Sequence, residues 1–146
     1  MRIAVLNGPN LNLLGVREPH IYGTRTLGDI EQDVTAVAGE LGAVVEFAQF
    51  NGEGELIDAI HALRGVAAGA IINAGAYSHT SLALRDAFSA VSVPYVEVHL
   101  SNIYAREPER RHSTLAGGAL AVLCGFGAYG YELALRGLVA SLRNRG

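Results

Sequence analysis

The stretch "RIAVLNGPN", residues 2–10, decides the fold, because a short apolar run ends abruptly in Asn-Gly-Pro-Asn. Aliphatic residues over this length, followed by turn-forming residues, are typical of a strand buried on both faces of a parallel sheet. Similar runs recur along the chain: "VVEFAQF" (44–50), "GAIIN" (69–73), "YVEVHL" (95–100) and "ALAVLCG" (119–125). The sequence therefore predicts five strands.

Segments with helical periodicity lie between these strands. In "TLGDIEQDVTAVAGELG" (26–42), apolar residues recur at helical spacing, Thr26 is placed as the N-cap and Gly42 is placed to end the helix. We predict further helices over 54–65, 80–91 and 130–142. Alternating strands and helices form βαβ units. The expected structure is an α/β fold, a flavodoxin-like, doubly wound, five-stranded parallel sheet, in a single catalytic domain over residues 1–146.

The composition excludes several classes of partner and chemistry. The chain has 146 residues, 50% of them hydrophobic, and a formal net charge of -3, so it lacks the basic surface of a nucleic-acid-binding protein. We expect no signal peptide or membrane-spanning segment. The single cysteine, Cys124, favours a reducing compartment, and the predicted location is the cytoplasm. All basic residues are arginine, which excludes a lysine Schiff base.

Polar residues follow four of the predicted strands, at the ends where parallel sheets bind ligands. These stretches are Asn7 to Asn10, Asn51 to Glu53, Asn73 to His79, and His99 to Asn102. Asparagine and glycine also form turns, so turn chemistry alone is the alternative explanation. Four such strand ends at one edge indicate a set of uncharged hydrogen-bonding groups, which suits a small polyhydroxylated ligand.

Arginine residues in two loops could add carboxylate binding to this edge. Arg17 follows the first strand, and Arg106 and Arg110 follow the fourth. An arginine run can be no more than a solvated surface, but a guanidinium at the polar edge would match both oxygens of a carboxylate. The implied ligand is a small, hydroxylated carboxylic acid.

The segment "GVREPHIYG" (15–23) looks too irregular for a helix or a strand, and we predict a lid loop over about residues 15–25. It contains Arg17 and Tyr22. A tyrosine acts as a phenolate base near neutral pH only if its anion is stabilised by about 4 kcal/mol. One guanidinium at about 4 Å supplies roughly that amount at an effective dielectric constant of about 20. An activated base on a closing lid is one interpretation, and a surface tyrosine packed on an arginine is the other.

Other residues near the strand ends complete a set for elimination chemistry. The Asn73 amide could stabilise an enolate, and Glu97, on the same strand face as His99, could hold His99 as a proton donor. Base, enolate stabiliser and acid together describe the loss of water from a β-hydroxy ketone. The spacing of His79, His99 and His112 fits no standard metal pattern, so we expect no metal and no other cofactor.

The chain resembles the type II 3-dehydroquinate dehydratases in several long motifs: "LNGPNLNLLG", "REPHIYG", "NGEGELIDAIH", "INAGAYSHTSLALRDA", "VEVHLSNIYAREPERRHS" and "GFGAYGY". The resemblance implies a flavodoxin-like subunit without metal or organic cofactor. It also implies reversible anti elimination of water from 3-dehydroquinate to 3-dehydroshikimate through an enolate. This reaction belongs to the shikimate pathway, which leads to chorismate and the aromatic amino acids, and also to quinate catabolism.

The resemblance assigns roles to individual residues. Tyr22 would accept the proton, Arg17 would keep it ionised and His99 would donate a proton to the departing hydroxyl, with Asn10 and Asn73 also in the catalytic set. The substrate would be held by Asn73, His79, Asp86, Arg110 and the backbone of Leu100 and Ser101, supported by Glu97 and Arg106. The family commonly forms dodecamers built from trimers. We therefore expect a homo-oligomer in which Asp86 could serve a neighbouring site.

Five positions depart from the family pattern, but none of them removes a proposed catalytic group. They are Ala74, Gly52, Phe50, Tyr104 and Glu109, where the family usually has proline, histidine, a small residue, histidine and phenylalanine. We expect activity, with substrate affinity or lid closure altered. The rival interpretations are another cofactor-free lyase or isomerase on this scaffold, and a receiver-like module. The receiver would need aspartates where Asn7 and Asn73 stand.

Overall fold

A computed structural model describes residues 1–145, which form one five-stranded sheet covered by helices. The strands are β1 (Arg2–Asn7), β2 (Val44–Gln49), β3 (Gly69–Asn73), β4 (Tyr95–His99) and β5 (Ala121–Cys124). The α-helices are α1 (Pro19–Tyr22), α2 (Leu27–Leu41), α3 (Glu53–His61), α4 (Leu82–Val91) and α5 (Tyr129–Arg145). All neighbouring strands are parallel, in the order β2-β1-β3-β4-β5. This order confirms the predicted flavodoxin-like, doubly wound fold.

The strand order places the polar strand ends at one edge of the sheet. From β1 the sheet extends to β2 on one side and to β3, β4 and β5 on the other, so the direction of winding switches between β1 and β3. Asn7 and Asn73, the last residues of these two strands, lie opposite each other in the register. His99 ends β4 at the same edge. Ligands of such sheets bind at this switch point.

The two central strands are packed on both faces of the sheet. Val5 and Ile71 belong to the hydrophobic cluster that includes residues of α2 and α5, whereas Leu6 and Ile72 belong to the cluster that includes residues of α3 and α4. Each of these side chains is at most 3% exposed. Full burial of one aliphatic side chain contributes about 1.5–3 kcal/mol. The two clusters therefore fix β1 and β3, and with them the side chains at the strand ends.

Local signals set most helix boundaries. Thr26 Oγ1 accepts a hydrogen bond from the Asp29 N–H while the Asp29 carboxylate accepts one from the Thr26 N–H, and this capping box begins α2 as predicted. Helix α3 ends earlier than the predicted residue 65, because the N–H groups of Leu63 and Arg64 bond three residues back in a tighter turn. Within residues 1–145, no helix is both long and apolar enough to cross a membrane.

The segment 15–23 contains a helical turn, so the prediction that it forms neither helix nor strand was wrong at this point. Pro19 occupies the first position of α1, where its fixed φ and missing N–H suit a helix start. Gly23 ends the turn with a φ of 85°, a backbone conformation that favours glycine. The turn sets Tyr22 on the side of the segment that packs against the core cluster.

Candidate active site

A cavity opens at the carboxyl ends of β1, β3 and β4, where the sequence predicts ligand binding. The loops after these strands and α1 line the cavity together. Residues predicted for the site that line it are Asn10, Arg17, Tyr22, Asn73, His79, His99, Leu100, Ser101, Arg106 and Arg110. Glu97 is buried and contacts His99. Asp86 is exposed on α4 and is not among the residues that line the cavity of the single chain.

Two arginine side chains lie against Tyr22. Arg106 Nη1 donates a hydrogen bond to Tyr22 Oη at 2.9 Å. The guanidinium carbon of Arg17 lies 4.7 Å from the centre of the Tyr22 ring, over its face. The sequence paired Tyr22 with Arg17 and gave Arg106 a supporting role. The structure brings both cations to the ring, with Arg106 as the residue that contacts the phenol oxygen.

His99 is joined to a buried carboxylate. Its Nε2 donates to Glu97 Oε2, and the second carboxylate oxygen, Oε1, accepts a hydrogen bond from Ser113 Oγ at 2.8 Å. Glu97 is 0% exposed and His99 is 6% exposed. An unpaired buried carboxylate would be costly, and both oxygens of Glu97 are hydrogen-bonded, which holds the His99 ring in place. Sequence reasoning missed Ser113, since nothing in its own neighbourhood connects it to the end of β4.

His79 is oriented by the backbone of a distant loop. Its Nδ1 lies 2.7 Å from the carbonyl oxygen of His112, which can only accept, so Nδ1 carries the hydrogen. Desolvation lowers the pKa of His79, and the nearby charges of His99 and Arg110 add to this effect, although the bond to His112 opposes it. The neutral ring then has an unprotonated Nε2 that can accept a hydrogen bond from a substrate hydroxyl.

Asn73 is held at both ends of its amide. Its Oδ1 accepts a hydrogen bond from the Gly75 N–H at 3.2 Å, and its Nδ2 donates to Tyr131 Oη at 3.0 Å. Sequence reasoning missed Tyr131, because a tyrosine among the apolar positions of α5 looks like an ordinary core residue. One hydrogen of Nδ2 is left for the cavity, so Asn73 can present a donor there.

Asn10 is set in place by a neighbouring loop. It adopts a left-handed conformation with a φ of 69°, which asparagine tolerates better than most residues. Its N–H donates to Asn51 Oδ1 at 3.1 Å, and Gln49 Nε2 donates to the same oxygen at 3.0 Å. The ends of β1 and β2 are thereby joined. Gln49 is a further residue that the sequence did not indicate.

The departures from the family pattern lie outside the cavity lining. Tyr104 and Glu109 are exposed, and Ala74 is fully buried behind Asn73. Gly52 is the N-cap residue of α3 without a side-chain cap. These positions therefore leave the chemical groups of the cavity unchanged.

The cavity is suited to an anion with hydroxyl groups. Arg17, Arg106 and Arg110 provide cations, while the cavity asparagines and His79 provide uncharged donors and acceptors. Within residues 1–145, no group of three or more histidine, cysteine, aspartate or glutamate side chains is placed to hold a metal ion.

Comparisons with known proteins agree with this arrangement. Residues 1–139 match the family described as dehydroquinase class II. A 3-dehydroquinate dehydratase of Gemmatimonas aurantiaca is 63% identical over 142 residues, which cover 97% of this chain and 93% of that protein. A catabolic 3-dehydroquinase of Aspergillus oryzae is 49% identical over 143 residues, covering 98% of this chain and 94% of that protein.

A solved structure shows the same fold. The type II dehydroquinase from Propionibacterium acnes superposes with a TM-score of 0.91 at 42% identity, over 95% of this chain and 96% of that one. The match therefore extends over sequence, strand order and nearly the full length of both chains. This chain belongs to the class II dehydroquinase family.

Proposed function

We propose that this chain catalyses the reversible dehydration of 3-dehydroquinate to 3-dehydroshikimate by anti elimination through an enolate. One observation supports this most directly: a tyrosine in contact with two arginines and a histidine held by a buried carboxylate line the same cavity. The two groups come from different elements, α1 and β4. A base and an acid placed in this way can act on neighbouring carbons of one small substrate.

Tyr22 is the proposed base. As a phenolate it takes a proton from the carbon beside the ketone, and the electron pair moves onto the carbonyl oxygen to give the enolate. Arg106 donates to the phenol oxygen and Arg17 lies over the ring, so both cations would stabilise the phenolate that such a base requires. This holds only while water is excluded. We therefore propose that residues 15–25 act as a lid.

Asn73 is the proposed stabiliser of the enolate. Its Nδ2 presents a hydrogen-bond donor in the cavity, directly or through water, where negative charge develops on the carbonyl oxygen. Because the direction of this donor is already fixed, little reorganisation energy is needed when the transition state forms. Asn10, in the loop after β1, lines the same cavity.

His99 is the proposed acid. The enolate collapses, the β carbon–oxygen bond breaks, and the protonated imidazole gives its proton to the departing hydroxyl, which leaves as water. Tyr22 has then gained one proton and His99 has lost one, and exchange with solvent resets both. Glu97 holds the imidazole and balances its charge throughout.

Binding of the substrate is assigned to the remaining cavity residues. Arg110 supplies a cation, His79 accepts from a hydroxyl, and the backbone of Leu100 and Ser101 borders the cavity at the end of β4. These groups match a hydroxylated carboxylic acid. The same reaction serves biosynthesis and catabolism, so the site chemistry is common to both roles.

The test is to add 3-dehydroquinate to purified, chelator-treated protein and to follow the conjugated enone product in the ultraviolet. We expect turnover by the wild type, and loss of nearly all turnover in Tyr22→Phe, because phenylalanine cannot take a proton. Tyr129→Phe, which alters an exposed tyrosine, is the control and retains full activity. No absorbance rise with the wild type would exclude the proposed reaction, and full activity of Tyr22→Phe would exclude the proposed base.

We also propose a dodecamer built from trimers, in which Asp86 completes the site of a neighbouring subunit. Its exposed position on α4 and the resemblance described above support this assignment. Asp86→Ala and Tyr22→Phe are each expected to be weakly active alone. Hybrid oligomers made by dissociating and reassembling both variants together regain activity, since some sites combine an intact Tyr22 with a neighbour's intact Asp86. No recovery in hybrids of confirmed size would contradict the shared site.

A further inference from the structure

A chain of three buried polar side chains lies beneath the cavity. Asn73 Nδ2 donates to Tyr131 Oη at 3.0 Å, and Tyr131 Oη donates to Asn7 Oδ1 at 2.6 Å. Asn7 and Tyr131 are 0% exposed and Asn73 is 3% exposed. The only member that lines the cavity is Asn73. The chain therefore connects a cavity residue to the interior of the sheet and to helix α5.

The Gly75 backbone sets the direction of the hydrogen bond between Asn73 and Tyr131. The Gly75 N–H donates to Asn73 Oδ1 at 3.2 Å, which identifies the oxygen end of the amide. Asn73 Nδ2 must then donate to the phenol, and the phenol hydrogen is left for Asn7 Oδ1. Rotating the Asn73 amide would break two hydrogen bonds at a buried site.

The Tyr131 hydroxyl is not needed to fill space. The neighbouring buried positions of α5 are Ala134, Leu135 and Leu138, and a phenylalanine ring would occupy nearly the same volume as Tyr131. A buried hydroxyl opposes folding unless it is hydrogen-bonded, so its presence here calls for a reason beyond packing. Burial also raises the pKa of the Tyr131 phenol above its usual range, which keeps it a hydrogen-bond donor at every working pH.

We propose that Tyr131 is a positioning residue that acts through Asn73. By accepting from one hydrogen of Asn73 Nδ2, it fixes the second hydrogen in the direction of the cavity, toward the oxygen that becomes the enolate. This inference rests on the proposed function, because it assigns Tyr131 to the enolate stabiliser of that reaction. Tyr131 itself touches no substrate.

The decisive variant is Tyr131→Phe, with Tyr95→Phe as its matched control. Tyr95 is 3% exposed and its hydroxyl donates to the Leu115 carbonyl at 2.5 Å, in the hydrophobic cluster on the opposite face of the sheet. Both variants remove one buried tyrosine hydroxyl, which makes two hydrogen bonds in Tyr131 and one in Tyr95. We expect Tyr131→Phe to lower kcat about tenfold with little change in KM, since the lost interaction acts in the transition state. Tyr95→Phe keeps the wild-type kcat.

A double-mutant cycle separates positioning from a merely structural effect. In the Asn73→Ala background, Tyr131→Phe should lower kcat by less than about twofold, because the group on which Tyr131 acts is already gone. A wild-type kcat in Tyr131→Phe would overturn the proposal. So would an equal tenfold loss with and without Asn73, since the effect would then not pass through the amide.

Crystal structures of the wild type and of Tyr131→Phe show the orientation of the Asn73 amide independently of any activity measurement. We expect the amide to be rotated or disordered in the variant, and an unchanged, well-ordered amide would overturn the proposal. Failure of the proposed role of Tyr131 can thus be distinguished from failure of the proposed function. If the wild type does not convert 3-dehydroquinate, the proposed function fails, whereas an active wild type with an undisturbed Asn73 in the variant rejects only the role of Tyr131.

Discussion

The two sides of the cavity are built in opposite ways. The floor, which we define as Asn7, Asn73, Glu97, His99 and Tyr131, consists of side chains that are at most 6% exposed. The lid, residues 15–25, has no fully buried residue, and Val16 within it is 79% exposed. The floor side chains are hydrogen-bonded to one another, as a chain of three and as the pair of His99 and Glu97, whereas the tyrosine of the lid is bonded to the rest of the site through Arg106.

This difference separates the tasks of the two sides. A buried acid must keep a fixed partner, because an isolated charge in the interior is costly, and a strand end supplies that fixed position. A base that must let substrate enter can lie on a segment with few contacts. We infer that changes in the floor affect both stability and rate, whereas changes in the lid affect mainly rate.

The largest effect is expected from Glu97→Gln in the floor. Glutamine keeps the size of the side chain but cannot balance a protonated His99, so kcat should fall about a thousandfold. Ser113→Ala removes only one donor to the same carboxylate and should lower kcat by less than about tenfold. Steady-state kinetics with 3-dehydroquinate measure both. Equal losses of kcat in the two variants would show that the negative charge of Glu97 does not determine kcat.

The substitutions Gly8→Ala and Gly23→Ala compare the floor and the lid directly. A Cβ at Gly8, next to Asn7, would lie 2.4 Å from the backbone oxygen of Ala74, which cannot move without shifting β3, so Gly8→Ala should lower the unfolding free energy by about 3 kcal/mol. A Cβ at Gly23 meets nothing within 4 Å, and its positive φ strains only the end of α1. Gly23→Ala should lower kcat/KM several-fold, with the unfolding free energy lowered by only about 1 kcal/mol.

Chemical denaturation and kinetics on the same preparations test this pair. Gly39→Ala, inside α2 with no atom within 4 Å of the new Cβ, is the control and should be neutral or slightly stabilising. If Gly23→Ala unfolded as readily as Gly8→Ala, the lid would be part of the cooperative core, and the contrast between the two sides would be wrong.

Arg106 connects the two sides, so its removal shows how much the lid depends on the floor. Arg106→Met should lower kcat/KM about thirtyfold, because a hydrogen bond from a charged donor to the Tyr22 oxygen is lost. Arg64→Met, at an exposed position after α3, is the matched loss of one positive charge and should have no effect. Similar losses of kcat/KM in both variants would indicate that activity responds only to the net charge of the protein.

The smallest effect is the pH dependence that His79 contributes. Desolvation lowers the pKa of His79 in the folded chain below its value of 6.5, so the unfolded chain takes up a proton more readily. The stabilisation is present above pH 6.5 and is lost as the pH falls through the lowered pKa. The difference in unfolding free energy between the wild type and His79→Gln should therefore shrink as the pH falls from 7 to 5.

Denaturation curves at matched protein concentration measure this difference. The contributions of carboxylates that both proteins share cancel when the two unfolding free energies are subtracted. A difference that is constant over this range would mean that His79 titrates equally in the folded and unfolded chains. His61→Gln, at an exposed position on α3, is the control for the loss of one histidine.

Local sequence patterns were enough to predict most of the fold. The alternation of apolar strands with amphipathic helices, the capping signals at Thr26 and Gly42, and the polar residues at four strand ends each depend on neighbours only a few residues away. The sheet order and the family are confirmed, and the structure brings most of the predicted site residues to one cavity. The roles of those residues stay predictions. Helix α1 was missed, because a single turn leaves no periodic pattern.

The contacts that define the chemistry were decided by the tertiary structure alone. Arg106 and Tyr22 are 84 residues apart, and Tyr131 lies 58 residues from Asn73 and 124 from Asn7. Nothing in the neighbourhood of an arginine or a tyrosine indicates which distant group it will meet. The sequence by itself determined which residues stand at the ends of the strands, through periodicity and turn chemistry. Which of them touch depends on the order and register of five packed strands, since packing alone brings distant segments within hydrogen-bonding distance.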